Sequence, residues 1–370
     1  MSETAFSPTL LIRDNVVSLK PYTPIVPFDI LSQQLNRDPS DIIKLDANEN
    51  PYGPSPRVAE VLAEAPYMHI YPDPESRNLR TALAEYTGIG AEYLLVGSGA
   101  DELIDLIMRL FINPGDKIVN CPPTFGMYAF DGDINAAETT SIRRRPDFSL
   151  DVEAIEHLFT TDAQAENNPK LIFVTSPNNP DGSVLSDGDL QRLLSLPTVV
   201  VLDEAYIEFS SNSRIQWVEQ HPNLIVLRTF SKWAGLAGLR VGYGAFPLDL
   251  IAQLWKIKQP YNVNLAGQLA AEVSLDDREH LLGNVARLVE QREQFYTVLD
   301  SIGWLEPYPS QTNFILCRVK GRDASDLKKQ LAEHGILVRY YNSSGLTDHI
   351  RISMGTPTQM ARLAKVLHDL

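Results

Sequence analysis

Short, nearly unbroken apolar runs recur through the middle of the chain, and each ends in a polar cluster. Tyr93-Leu94-Leu95-Val96 runs into Gly97-Ser98-Gly99-Ala100-Asp101, and Lys117-Ile118-Val119 ends at Cys121-Pro122-Pro123. Leu171-Ile172-Phe173-Val174 ends at Ser176-Pro177-Asn178-Asn179-Pro180, and Thr198 to Leu202 ends at Asp203-Glu204. Leu224-Ile225-Val226-Leu227 leads into Thr229-Phe230-Ser231-Lys232. Between these runs lie stretches with helical spacing, such as Glu102 to Phe111. Runs that are apolar on both alternating sets of positions predict strands covered on both faces, in a mostly parallel α/β sheet. Ligands bind beyond the carboxyl ends of such strands, so the polar clusters are expected to converge on one place.

The last third changes character. Gln268 to Val273, Arg287 to Leu299 and Ala324 to Glu333 read as helices, whereas Asn313 to Val319 and His349 to Met354 read as strands. This predicts a smaller α+β domain. Residues 1 to about 45 are punctuated by Pro21, Pro24, Pro27 and Pro39 and are expected to be irregular. The expected division is an arm over 1–45 packing on the small domain or a partner subunit, a large domain over 46–262 and a small domain over 263–370.

Composition narrows the function classes. At 370 residues, with 44% hydrophobic and 21% charged positions, the chain is a globular protein with a large core. A formal net charge of −15 argues against nucleic acid or an anionic membrane as the main partner, while a few local arginines still suit a small anion. Cys121 and Cys317 lie far apart in apolar surroundings without metal-ligand spacing, so no metal site is expected. The start of the chain has no basic segment leading into an apolar one, and no apolar run is long enough to span a bilayer; a cytoplasmic protein is expected.

Five places carry candidate chemistry. Lys232, at the mouth of an apolar run and among small residues, is either an exposed loop lysine or an amine placed to form a Schiff base with an aldehyde. Asp203 is either a helix cap or a carboxylate facing a protonated ring nitrogen, and Tyr206 either packs in the core or reaches the same ring. Asn179 reads as turn chemistry or as a ligand contact. Gly97 to Asp101 opens a helix after a strand, which suits an anion, although its spacing is not that of a nucleotide-binding fingerprint.

Taken in order, these segments carry a resemblance. Leu45-Asp46-Ala47-Asn48-Glu49-Asn50-Pro51-Tyr52-Gly53, Gly99-Ala100-Asp101-Glu102, Cys121-Pro122-Pro123-Thr124, Ser176 to Pro180, Asp203-Glu204-Ala205-Tyr206 and Ser231-Lys232 through Arg240 are similar to the fold-type I pyridoxal-phosphate aminotransferases. Within the class I/II superfamily they most resemble the histidinol-phosphate aminotransferase family. The resemblance runs from about Tyr22 to the C-terminus. It implies a mostly parallel seven-stranded sheet flanked by helices, plus the smaller α+β domain. It also implies pyridoxal 5'-phosphate as cofactor. Lys232 would hold the cofactor's aldehyde and then shuttle a proton, Asp203 would pair with the pyridine nitrogen, and Tyr206 and Asn179 would bond the ring oxygen. Ala100, Asp101, Thr229, Ser231 and Arg240 would take the phosphate, joined by Tyr71 from the other subunit of a homodimer. Phe125 falls where the family, usually with tyrosine, stacks an aromatic ring on the cofactor; the π-face is kept and the hydroxyl lost.

For substrate, the resemblance assigns Arg351 to an α-carboxylate and Arg339 to the phosphate of histidinol phosphate, with Tyr22 and Asn48 as further contacts. The implied reaction is amino transfer between histidinol phosphate and 2-oxoglutarate, giving imidazole acetol phosphate and glutamate. A broad aromatic aminotransferase, a threonine-phosphate decarboxylase and a non-catalytic pyridoxal-phosphate sensor are the rival readings.

Overall fold

The computed structural model describes residues 7–19, 21, 26–159 and 167–370. Among the described residues twelve strands, β1 to β12, form two sheets. The larger has seven strands in the order β2-β8-β7-β6-β5-β3-β4. These are β2 (Leu94–Gly97), β3 (Lys117–Asn120), β4 (Glu138–Ser141), β5 (Leu171–Thr175), β6 (Val199–Asp203), β7 (Leu224–Thr229) and β8 (Gly242–Ala245). The pairs β3/β4, β3/β5, β5/β6 and β6/β7 are parallel, and β8 runs antiparallel between β7 and β2. A mostly parallel sheet of seven strands is therefore what the apolar runs build.

Every residue of β5 and β7 is buried, because helices cover both faces. On one face Ile225 and Leu227 pack with Leu103, Ile107 and Phe246; on the other Leu224 and Val226 pack with Phe230 and Trp233. Register then sets the site. Thr175 lies opposite Asp203, and both Gly97 and Thr229 lie opposite Gly242, so the polar strand ends form one row.

The smaller sheet has five strands, β1 (Ile43–Leu45), β11 (Ile336–Tyr340), β12 (His349–Ser353), β10 (Phe314–Val319) and β9 (Leu305–Pro307), in that spatial order. β1 joins β11 in parallel, and the other pairs are antiparallel. Helices Arg278–Ser301, Ala324–Glu333 and Pro357–Asp369 belong to this part of the chain. The last opens on a capping box in which Thr356 and Gln359 each satisfy the other's backbone N–H. Helix Leu265–Asp276 instead packs on Pro56–Ala63 and Arg77–Thr87.

The N-terminal segment departs from the irregular arm that its prolines predict. It carries short helices at Pro8–Leu11, Asp14–Val17, Phe28–Leu35 and Pro39–Asp41 before β1. Pro8 and Pro39 sit in the first turn and Pro27 is the N-cap, positions where the missing N–H has no helical partner to lose. Three of the four helices thus begin at a proline, which starts the turn and does not abolish it. No helix among the described residues is long and apolar enough to cross a membrane.

Candidate active site

β6 delivers Asp203 to the row of strand ends. Its carboxylate is 4% exposed, with Oδ1 accepting from the Ala205 N–H at 2.9 Å and Oδ2 from the Tyr128 hydroxyl at 2.6 Å. Burial pushes the carboxyl up to about 6. Among the described residues no amine or guanidinium lies within ion-pair distance to offset that burial. Three residues on, the Tyr206 hydroxyl accepts from Asn48 Nδ2 at 2.9 Å, and burial pushes the phenol's pKa up, so it stays protonated.

β7 delivers Lys232. Phe230 and Trp233, both fully buried, pin the backbone on either side of it. The Lys232 amine lies 5.9 Å from the centre of the Tyr206 ring and, among the described residues, makes only a long 3.4 Å bond to the Ala47 carbonyl. Burial, followed by the nearby Arg351 charge, lowers it to about 8. That leaves far more uncharged amine near neutral pH than an ordinary lysine has, and the uncharged amine is the nucleophile toward an aldehyde. Of the two sequence readings of Lys232, this environment favours the reactive one.

The anion end forms where β2 turns into helix Gly99–Phe111. Ser98 caps the helix with no side-chain bond, so the first N–H groups keep their donors free for a ligand. Gly99 has φ +77°, and a Cβ built on it would lie 2.6 Å from Arg240 Nη2. A Cβ on Gly242 would lie 2.4 Å from the Ala100 nitrogen. Glycine at both positions keeps the cradle open. Arg240 bonds Asp101 Oδ2 at 2.7 Å with both side chains nearly half exposed, and Thr229 Oγ1 donates to Ser231 Oγ at 3.0 Å. Glu102, tied to the Ser98 N–H at 2.5 Å and to Asn262 Nδ2 at 2.8 Å, holds the turn in place.

The facing wall comes from the smaller sheet. Arg351, 5% exposed, bonds Asn179 Oδ1 at 2.5 Å and the Asp46 carbonyl at 2.7 Å, and its guanidinium lies 5.1 Å from the Phe314 ring centre. Its Nε has no hydrogen-bond partner among the described residues. Arg339 is the β11 partner of Arg351 in register. It lies 5.7 Å from the Tyr341 ring and has no carboxylate within ion-pair distance among the described residues. Asn48, at φ +56°, bridges the two sheets: its N–H and Oδ1 both meet Ser353 Oγ, at 3.0 and 2.8 Å, and its carbonyl accepts from Asn313 at 3.0 Å.

The structure thus brings Lys232, Asp203, Tyr206, Asn179, Asn48 and Arg351 into one connected set, with Asp101, Thr229, Ser231 and Arg240 at the helix start. Phe125 is half-buried and meets Tyr128 edge-on at 5.6 Å. Tyr71 stands apart: it is 78% exposed and stacks on Tyr261 at 4.6 Å, beside exposed Tyr67, Met68 and Ile70. Tyr22 lies outside the described residues. A cleft of about 620 Å³ lined by Asp147, Asp181, Ser310 and Gln311 contains none of these residues. Sequence reasoning missed Tyr128, Thr175 and Asn262, which act through neighbours, and no local motif marks them.

An amine of lowered basicity, a buried carboxylate without a cation and an uncapped helix start form a set that suits one ligand class. The ligand carries an aldehyde, a ring nitrogen that bears a proton, and a phosphate.

Residues 40–367 match the family described as aminotransferase class I and II. The chloroplastic histidinol-phosphate aminotransferase of Nicotiana plumbaginifolia is 54% identical over 358 residues, spanning 96% of this chain and 86% of its own length. That of Roseiflexus castenholzii is 48% identical over 370 residues, spanning 98% of each chain. Among solved structures, the histidinol-phosphate aminotransferase of Sinorhizobium meliloti in complex with pyridoxal-5'-phosphate superposes with a TM-score of 0.86 at 29% identity, covering 100% of both chains.

Proposed function

Because the chain belongs to the aminotransferase class I and II family, we propose that it transfers the amino group of L-histidinol phosphate to 2-oxoglutarate, using pyridoxal phosphate. The products are imidazole acetol phosphate and L-glutamate. When bound, the cofactor supplies an aldehyde that condenses with amines and a ring that takes up the electron pair released at the amine-bearing carbon.

The chain's own residues supply the rest. Lys232 would hold the cofactor's aldehyde, and its amine is placed to carry the proton to and from the amine-bearing carbon. Asp203 accepts the ring N–H, and Tyr206 and Asn179 orient the ring oxygen. The free N–H groups at Ala100 and Asp101, with Thr229, Ser231 and Arg240, hold the phosphate, and Phe125 covers the ring. Arg351 takes the carboxylate of glutamate through its planar fork. Arg339 takes the phosphate of histidinol phosphate.

The observation that carries the substrate reading is the pairing of two guanidinium groups, Arg339 and Arg351, in register on β11 and β12, with no carboxylate on either among the described residues. One substrate offers a phosphate and the other two carboxylates, so both need cationic partners at this wall. The enzyme works as a homodimer in which Tyr71 completes the phosphate site of the other subunit. The exposed Tyr67, Met68, Ile70 and Tyr71 support that arrangement, since so much clustered apolar surface suits a covered face.

The test is to add each amino donor to the cofactor-loaded protein and follow its visible spectrum. Histidinol phosphate and glutamate should each convert the bound cofactor to its amine form. Failure with histidinol phosphate overturns the substrate reading, and release of carbon dioxide from phosphothreonine replaces it with a decarboxylase.

A further inference from the structure

We propose that Tyr128 is a positioning residue for this reaction, its hydroxyl and the Thr175 and Thr124 hydroxyls behind it holding Asp203 as the anion that keeps the cofactor's ring nitrogen protonated. The proposal rests on the cofactor reading above.

Tyr128 sits on helix Met127–Ile134 with no exposed surface. Its ring stacks on Phe173 at 5.0 Å and meets Phe125 edge-on at 5.6 Å, so the phenol has no freedom to swing away. From its oxygen a row of short contacts leads inward. Tyr128 lies 2.6 Å from Asp203 Oδ2 and 2.9 Å from Thr175 Oγ1. Thr175 Oγ1 lies 3.2 Å from Thr124 Oγ1, and Thr124 lies 2.9 Å from Asn178 Oδ1. Asn178 has its amide orientation fixed, because Nδ2 donates to the Pro123 carbonyl at 3.1 Å and to Asp181 Oδ2. Its Oδ1 is therefore an acceptor, and the Thr124 proton points to it.

Counting protons along this row is informative. Three hydroxyl protons serve four oxygen–oxygen contacts. With Asp203 anionic, the Tyr128 proton goes to Asp203 and the Thr124 proton goes to Asn178. Thr175 then has one proton for two neighbours, and the shorter contact is to Tyr128. Donation from Thr175 polarises the phenol and strengthens its bond to Asp203. With a proton on Asp203 the row reverses: Asp203 donates to Tyr128, Tyr128 to Thr175 and Thr175 to Thr124, and all contacts are filled. The row therefore accommodates either charge state, and the group facing Asp203 decides between them. A ring N–H selects the anion. Tyr128 makes that selection stable, because a hydrogen bond to a buried anion is among the strong ones.

The experiment uses the cofactor-loaded enzyme, with pyridoxal phosphate labelled with nitrogen-15 in the ring. Tyr128→Phe keeps the stacking and deletes the donor; Thr175→Val deletes the hydroxyl behind it. In Tyr128→Phe the ring-nitrogen resonance should move toward the unprotonated position, and kcat for histidinol phosphate should fall roughly ten- to a hundredfold, with KM little changed. Thr175→Val should move the resonance the same way by less, and it carries the test alone if Tyr128→Phe does not fold. A wild-type resonance in the variants, with losses confined to melting temperature, overturns the proposal and leaves Tyr128 a packing residue. If instead the wild type shows no visible absorbance that borohydride fixes on Lys232, the cofactor reading itself is wrong, so the two failures are told apart.

Discussion

At the carboxyl ends of the seven-stranded sheet, Asp203, Thr229 and Ser231 are buried and bonded to neighbours of their own sheet and its loops. Across from them, the five-stranded sheet presents Arg339 without an ion partner and Arg351 bonded to neutral carbonyl oxygens alone, among the described residues. The first wall has its donors and acceptors aimed before anything binds, which suits a group that stays through every turnover. On the proposed reading, the second leaves its charges to be satisfied by substrates that come and go. Neutral oxygens hold the Arg351 fork in place and would yield to a substrate carboxylate, whose charge-assisted bonds are stronger.

Substitutions on the two walls separate these roles. Lys232→Ala, on the fixed wall, has the largest expected effect: the visible cofactor absorbance disappears and turnover falls roughly 10²–10⁴-fold, the usual worth of a positioned proton carrier. Retention of turnover after this change would place the chemistry elsewhere. Arg351→Ala should raise KM for glutamate and 2-oxoglutarate by roughly ten- to a hundredfold, as expected for a charged hydrogen bond. Steady-state kinetics with both compounds checks this. Arg339→Ala should lower kcat/KM for histidinol phosphate about tenfold more than for glutamate, since a single phosphate contact is lost. Equal losses on both substrates would merge the two arginines into one role.

The smallest effect tests a charge that belongs to neither wall. Asp131 is buried, its Oδ2 has no hydrogen-bond partner among the described residues, and burial lifts its carboxyl from 3.8 to about 7, helped by the charges of Asp105 and Asp101. Between those values the folded protein binds more protons than the unfolded chain, so stability falls as pH rises through the window. Asp131→Asn removes that loss. Its melting temperature should exceed that of wild type at pH 8 by a few degrees and match it near pH 4. Parallel melting curves at both pH values would show that Asp131 is solvated.

The walls also differ in how legible they are. Asp203 ends β6, Thr229 ends β7 and Lys232 follows three residues later, so their convergence followed from periodicity and the rule for parallel sheets. Helix and strand positions in the last third were visible for the same reason: Ala324–Glu333 lies where its spacing puts it. Arg339 and Arg351 carry no such signal. They become neighbours only because β11 pairs antiparallel with β12, and pairing across a sheet is not written in local pattern. Only resemblance singled them out. Tyr128 and Asn262 were invisible for a further reason: each acts on another residue, and a hydroxyl or amide on a helix or in a loop looks like any other.

β1 has a consequence for how the protein is made. Ile43 pairs with Ile336, so a strand translated near the start waits for a partner translated near the end. The seven-stranded sheet has all its strands within 94–245 and can assemble while the ribosome is still working. The five-stranded sheet cannot. A nascent or truncated chain that stops short of β11 carries β1 as an open edge with unpaired backbone groups, a template for pairing with other chains. The order of synthesis thus makes the C-terminal segment the gatekeeper between a finished enzyme and an aggregation-prone fragment.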